Sequence, residues 1–231
     1  MFRPMTKLRH RNIAFVDTET GGLIPGVNPI IEIAAVIVRP KEWKVLEELC
    51  IKIWPFDINK CHPKALQKNR FYERGGPDLW AKEGLPLSEA ITKFDNAVRE
   101  CVLAGHNFPK FDYPMLLDSY RQCGKIKTAE DGTSEVEISA DYHVIDTASM
   151  VWPYFLLDEE FGTVALDKIR EALGWSTEGA HSALTDAQDS YRLFKWVYAN
   201  AERQLDSGFV ASPSSSAYFG ESEVPKNSDQ K

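Results

Sequence analysis

Apolar positions come in short runs and alternations early in the chain and at helical spacing later. "IAFV" at 13–16, "IIEIAAVIV" at 30–38 and "VLEELCIKIW" at 45–54 have strand lengths, and in the third Leu49, Ile51 and Ile53 alternate with Cys50 and Lys52. The connectors "GGLIPGVNP" and "RPKEWK" are brief and turn-rich, which predicts an antiparallel three-strand meander. A basic, partly aromatic stretch at 63–74 then leads to Gly75-Gly76. Beyond it, Leu87, Ile91, Phe94 and Val98 share one helical face, with Ser88 or a neighbour as the cap.

"VLAGHN" reads as a short buried strand, "NFPK" as a tight turn, and "FDYPMLLDSYRQCG" as a helix with Pro114 in its first turn and Gly124 at its end. "HVID" predicts a further strand. Leu166, Ile169 and Leu173 mark a helix with Thr163 as its cap, and apolar residues at 184, 187, 191, 194 and 197 mark another. Residues 125–141 carry an Asp131-Gly132 turn with flanking alternation and predict an inserted surface hairpin. The succession implies an α/β fold, a mixed sheet covered by helices on both faces, in which the meander is joined by parallel strands.

Length and composition fit this picture. A chain of 231 residues with 43% hydrophobic side chains can bury one sizeable core, and no repeat is evident. The expected organisation is a basic N-terminal segment at 1–11, one domain at 12–203, and a flexible tail at 204–231 rich in Ser, Pro and charge. There is neither a long uncharged apolar run nor an apolar leader core near the start, so no membrane span is expected. Cys50, Cys61, Cys101 and Cys123 lack CxxC spacing, which suggests neither zinc nor a disulfide framework and favours a reducing, cytoplasmic setting. A net charge of -7 speaks against a non-specific nucleic-acid coat protein. It leaves room for local basic patches, here Arg3, Lys7, Arg9 and Arg11, and then Lys60, Lys64, Lys68, Arg70 and Arg74.

Four acids and one histidine could carry chemistry. In "FVDTETGGL" Asp17 and Glu19 follow the first apolar run; alternate residues of a strand share a face, so both would point to one spot just past the strand's end. Two such charges repel unless a cation lies between them, and hard divalent ions prefer carboxylate oxygen. A solvated strand end entering the Gly21-Gly22 turn is the plain alternative. Asp112, in "GHNFPKFDYPML", stands at a predicted helix start, where the macrodipole favours an ionised acid and an ordinary cap is equally well explained. In "HSALTDAQDSYRLF", His181 and Asp186 would subtend roughly 140° on one continuous helix, which places His181 on the preceding loop. A surface histidine with no role remains the alternative there. Asp146 reads as an N-cap, and Asp189 as a residue of an exposed helix face that could also support Asp186.

Together, "FVDTETGGL", "GHNFPKFDYPML" and "HSALTDA" occur in the order of the DEDD 3′-5′ exonuclease superfamily, and the chain resembles its histidine-containing branch, which holds the proofreading epsilon subunit of DNA polymerase III and ribonuclease T. The likeness covers about residues 12–198. It implies a ribonuclease H-like fold and a metal-dependent 3′-5′ exonuclease that releases 5′-mononucleotides, with DNA favoured over RNA. By the same resemblance Asp17, Glu19, Asp112 and Asp186 would hold two divalent cations, Mg²⁺ or Mn²⁺, and His181 would be the general base. Thr18, Thr20, Leu23 and Asn107 match substrate-binding places, and Phe108 and Phe111 could stack bases. The implied partner is a single-stranded DNA or RNA 3′ end, with a polymerase or other protein reached through the C-terminal tail, and no membrane. The 125–141 insert and the generous spacing between the first two motifs depart from the family pattern and bear on substrate choice.

Three other readings compete. An exoribonuclease shares every motif. A non-catalytic docking module with the same fold would not need all five positions filled. Haloacid-dehalogenase phosphatases also open with an acid pair after a strand, but they want a second Asp where Glu19 stands.

Overall fold

The computed structural model describes residues 7–206 apart from 157 and 160. Arg3 and nearly all of the Ser- and Pro-rich tail, with the partner role expected of it, lie outside the described residues.

Strand β1 (Ile13–Thr20) is central because its side chains are apolar on both faces at the start, and all four residues from Ile13 to Val16 are buried. It pairs antiparallel with β2 (Ile30–Arg39), which pairs antiparallel with β3 (Lys44–Lys52). The chain then forms α1 (Pro63–Lys68), α2 (Gly76–Glu83) and α3 (Leu87–Ala97) before β4 (Val102–Gly105) adds parallel to β1. Next come α4 (Asp112–Gln122), a ribbon of β5 (Ile126–Thr128) and β6 (Ser134–Val136), and β7 (Val144–Asp146), parallel to β4. Helices α5 (Thr147–Phe155), α6 (Leu166–Ala172) and α7 (Ala183–Asp206) complete the order. The five-stranded sheet runs β3-β2-β1-β4-β7, as the predicted meander plus parallel strands requires.

Even-numbered residues of β1, Ala14 and Val16, pack with Ile91 and Phe94 of α3 and Met115 and Leu116 of α4. Odd-numbered Ile13 and Phe15 pack with Leu184, Ala187, Tyr191 and Phe194 of α7. Contacts separate a first unit ending at Phe194 from a second that begins at Lys195, within α7. Among the described residues no helix is long and apolar enough to cross a membrane.

Several local expectations change. Strand β1 does not stop at Val16 but continues through Thr20, since β2 keeps pairing with it as far as Ile30. The acids therefore lie within the strand and not past its end. The sequence pattern gave no sign of α2, whose buried Trp80 packs edge-on against Phe71 at 4.8 Å and donates its indole N–H to the Ile31 carbonyl at 2.9 Å. Neither predicted hydroxyl cap forms: the N-caps are Pro86 for α3 and Ala165 for α6, both without a side-chain bond. Thr163 instead accepts the Ala165 N–H one turn earlier. Helix α7 spans Ala183–Asp206.

Candidate active site

The parallel strands decide where a cleft can open. Strand β1 pairs with β4 only from Ile13 to Phe15, so from Asp17 onward its β4 side is free of a neighbouring strand while β2 holds the other side. Gly105 at the end of β4 permits a close approach: a Cβ there would stand 2.5 Å from the Val16 carbonyl oxygen. The chain turns away at Asn107, which adopts a left-handed φ of 60° and donates its N–H to Asp146 at 2.8 Å. Asp146 also accepts from the N–H groups of Ala148 and Ser149, so it is the N-cap of α5, as its position suggested. Open ends of parallel strands are where α/β sheets present their sites.

The alternation along β1 sorts the acids. Asp17 and Glu19 continue the face that packs on α7, and α7 brings Asp186 to them; one carboxylate oxygen from each of the three lies within 4.8 Å of the others. Thr18 continues the opposite face, toward α4. Its N–H and its hydroxyl both donate to Asp112 Oδ1, at 2.9 and 2.7 Å. Asp112 begins α4 but does not cap it, since the N-cap is Phe111 without a side-chain bond. One strand thus carries two acids and fixes a third.

Burial drives the charge state of this cluster. Asp17 is held well above the usual carboxylate range by burial first, and then by Asp112, Asp186, Glu19 and Glu32, every one of them an acid. Burial also pushes Glu19 up to about 8, with Asp186 and Glu32 adding to it and Arg74 opposing. Asp112 rises to about 7 for the same reason, against the two Thr18 bonds, and Asp186 is raised despite the Arg170 charge. One buried acid, Asp112, and three half-buried ones, whose charges oppose one another and which all offer oxygen donors, fit a hard divalent cation.

The flanks of the cleft hold the remaining candidates. His181 lies on the loop before α7 with a left-handed φ of 63°; its backbone N–H donates to Asp186 Oδ1 at 3.3 Å, and its Nε2 is 3.6 Å from Asp167. A second histidine, His106, is occupied: Nε2 lies 2.7 Å from the Val164 carbonyl and Nδ1 3.1 Å from the Thr147 hydroxyl. Burial lowers its pKa. Leu23 is 76% exposed at the edge of the cleft of about 330 Å³, which settles it as a lining residue and not a core one. Asn107, Phe111 and Lys68 line the same cleft, whereas Phe108 is buried in the core and unavailable for stacking. The buried Thr20 hydroxyl donates to the Gly22 carbonyl at 2.6 Å and holds the turn.

The Gly21-Gly22 turn is shaped by its own neighbours. A Cβ on Gly21 would meet Cys61 Sγ at 2.5 Å, and one on Gly22 would meet the Asn28 side chain at 2.4 Å. Close packing of the turn is the physical requirement for these glycines, not room for a ligand. The basic stretch divides as well: Arg70 pairs with Glu73, and Arg74 grips the fully buried Glu32 at 2.6 and 2.8 Å.

Sequence reasoning passed over two arginine centres, one half-buried and one buried. Glu32 sits opposite Glu19 in the β1/β2 register, with Arg74 as its partner. Arg170 on α6 reaches Asp186, Asp189 and Asp167 at 2.7, 2.7 and 2.9 Å with its side chain 1% exposed. Asp189 is therefore buried against Arg170 and not on an exposed face. Both centres leave a trace: Glu32 interrupts an apolar run, and Arg170 falls four after Leu166 and three before Leu173, on the apolar stripe itself.

With acids on the central strand and on two following helices, the fold is that of the DEDD exonuclease superfamily. A family model described as Exonuclease (RNase_T) matches residues 14–194, and the chain belongs to that family. The fold is similar to that of Escherichia coli exonuclease I in complex with a dT13 oligonucleotide, with a TM-score of 0.64 and 18% identity over 87% of this chain and 44% of that one. It is likewise similar to the zinc-bound exonuclease I complex with single-stranded DNA, at TM-score 0.66 and 18% identity over 87% and 43% of the two chains. A third similar structure is the exonuclease I complex with SSB-Ct, at TM-score 0.62 and 16% identity over 87% and 43% of the two chains. The chain spans less than half the length of these exonuclease I chains. No curated protein sequence matches it significantly.

Proposed function

We propose that the protein is a divalent-cation-dependent 3′-5′ exonuclease that removes 5′-mononucleotides from nucleic-acid ends, with DNA favoured over RNA. The observation that carries this reading is the convergence of Asp17, Glu19 and Asp186 within 4.8 Å, with Asp112 fixed beside them by Thr18. Family membership and the likeness to exonuclease I, whose structures include single-stranded DNA complexes, support it.

Asp17, Glu19, Asp112 and Asp186 would hold two Mg²⁺ or Mn²⁺ ions. When bound, such ions supply Lewis-acid stabilisation of the phosphoryl oxygens and the leaving group and acidify the attacking water. Thr18 keeps Asp112 oriented toward the cluster. His181, on its loop, accepts the proton of the attacking water as general base, while His106 is held by Val164 and Thr147 and takes no part. Leu23 offers an apolar edge to the terminal base. Asn107 and Phe111 line the same cleft beside the terminal nucleotide, and Thr20 shapes the turn that presents Leu23.

Labelled single-stranded DNA, single-stranded RNA and mismatched duplex, digested side by side with Mg²⁺ or with chelator, test the reading. Stepwise shortening of 5′-labelled DNA from its 3′ end, faster than that of RNA and abolished by chelator, is expected. Internal cuts appearing first would overturn the exonuclease assignment. Faster RNA trimming would move the substrate to RNA and leave the chemistry in place.

A further inference from the structure

We propose that Arg170 is a positioning residue for the acid cluster, fixing Asp186 directly and His181 by way of Asp167. The inference rests on the reading of the four acids as cation ligands and names what orients one of them.

A guanidinium with 1% exposure is costly to bury unless its hydrogen bonds are met, and here each nitrogen has its own acid. Nε bonds Asp189 at 2.7 Å, one turn along α7 from the cluster. Nη2 bonds Asp186 Oδ1 at 2.7 Å, and Nη1 bonds Asp167 Oδ1 at 2.9 Å. The other oxygen of Asp167 lies 3.6 Å from His181 Nε2. The fork therefore joins α6, the start of α7 and, at one remove, the loop residue between them.

Adhesion between α6 and α7 alone would not require this arrangement. Buried ion pairs can often be replaced by apolar residues without loss of stability, and the Asp189 branch would suffice to join the helices. The branch to Asp186 does something adhesion does not. Asp186 Oδ1 receives both the guanidinium and the His181 backbone N–H, which hold the carboxylate in one orientation beside Asp17 and Glu19. Groups that hydrogen-bond a metal ligand set its orientation in this way. A lysine ammonium is a point charge without the planar fork and cannot hold three carboxylates in these directions.

The test is Mn²⁺ binding, read by electron paramagnetic resonance or calorimetry, together with turnover on labelled single-stranded DNA. Arg170→Lys is expected to weaken Mn²⁺ binding or lower kcat by about 10- to 100-fold, the range for losing such an orienting contact, with KM for DNA within about twofold. Glu171→Gln, which removes an exposed ion pair with Lys168 on the same helix, is expected to change neither. A folded Arg170→Lys protein with wild-type Mn²⁺ affinity and kcat would overturn the proposal. Should that variant fail to fold, Asp167→Asn decides, since Asp167 is half-exposed. It is expected to lower kcat while sparing Mn²⁺ binding, and a wild-type kcat there would overturn the proposal instead. Absence of Mn²⁺ binding by the wild-type protein would refute the cation-ligand reading itself, a result distinguishable from the others.

Discussion

Asp17 and Asp95 are the same side chain, one half-buried and one buried, with opposite electrostatics. Asp95, on α3, accepts from the Tyr120 hydroxyl and from the Ser139 N–H and hydroxyl, each at 2.8 Å, with Lys125 3.6 Å away. Those partners hold its pKa below the usual value against the cost of burial. Asp17 has Asp112, Asp186, Glu19 and Glu32 around it, and its pKa is driven up. The fold uses the charge of Asp95 to fasten α4 and the segment after the β5–β6 ribbon, whereas among the described residues the groups around Asp17 are acids that oppose its charge. An acid that the structure leaves electrostatically opposed is the one to suspect of binding something else.

Asp17→Asn breaks this comparison most severely. Losing one cation-holding carboxylate should cut the turnover rate on single-stranded DNA by about 10³-fold or more, since transition-state stabilisation by such ions is worth several kcal/mol. In the same variant the cation-free protein should melt a few degrees higher, because the folded state no longer has to keep an acid at position 17 protonated, or ionised among other acids. Rate assays and thermal melts of one preparation check both, and a lower melting temperature would show that the Asp17 charge serves the fold after all.

This contrast also marks what the chain disclosed in advance. The placement of the acids and of His181 was legible because each sits where local pattern is informative: alternation on β1, the start of α4, the loop before α7. The meander and its parallel additions followed from apolar runs and short turns in the same way. Helix α2 was hidden because Gly76 and Pro77 open it and its one core residue, Trp80, makes no periodic stripe. The Arg74–Glu32 pair joins residues 42 positions apart, and the Arg170 bonds to Asp186 and Asp189 join residues 16 and 19 apart; no local pattern states such a pairing. Caps were expected at Ser88 or a neighbour and at Thr163 from residue type alone, and the N-caps are Pro86 and Ala165, neither with a side-chain bond.

The pH dependence of the cation-free protein gives the next largest effect. Folded Glu19 keeps its proton up to about 8, whereas the unfolded chain releases it near 4.5, so over that interval the folded state binds more protons and stability falls as pH rises. Asp112, raised to about 7, acts in the same direction. Asp95, with a lowered pKa, contributes stability that is lost only as pH falls below its ordinary value of 3.8, outside this window. The melting temperature should drop by roughly 5 to 10 °C between pH 5 and pH 8, and Mg²⁺ should flatten the slope by favouring the ionised acids. A slope that is flat without cation would mean that the acids are not opposed as the geometry implies.

The smallest effects come from the satisfied side of the comparison. Asp95→Asn keeps the shape but cannot accept all three hydrogen bonds, and leaving a buried donor unmet should cost about 1 to 3 kcal/mol in denaturant unfolding. Lys125→Met should cost less than about 1 kcal/mol, because that ammonium stands 3.6 Å from Asp95 with 29% of its side chain exposed. Neither variant touches the cleft, so both should cut single-stranded DNA at the wild-type rate below their melting temperatures. If Lys125→Met cost as much as Asp95→Asn, the charge pair and not the Tyr120 and Ser139 hydrogen bonds would be holding Asp95. The distinction from Asp17 would then rest on a single lysine.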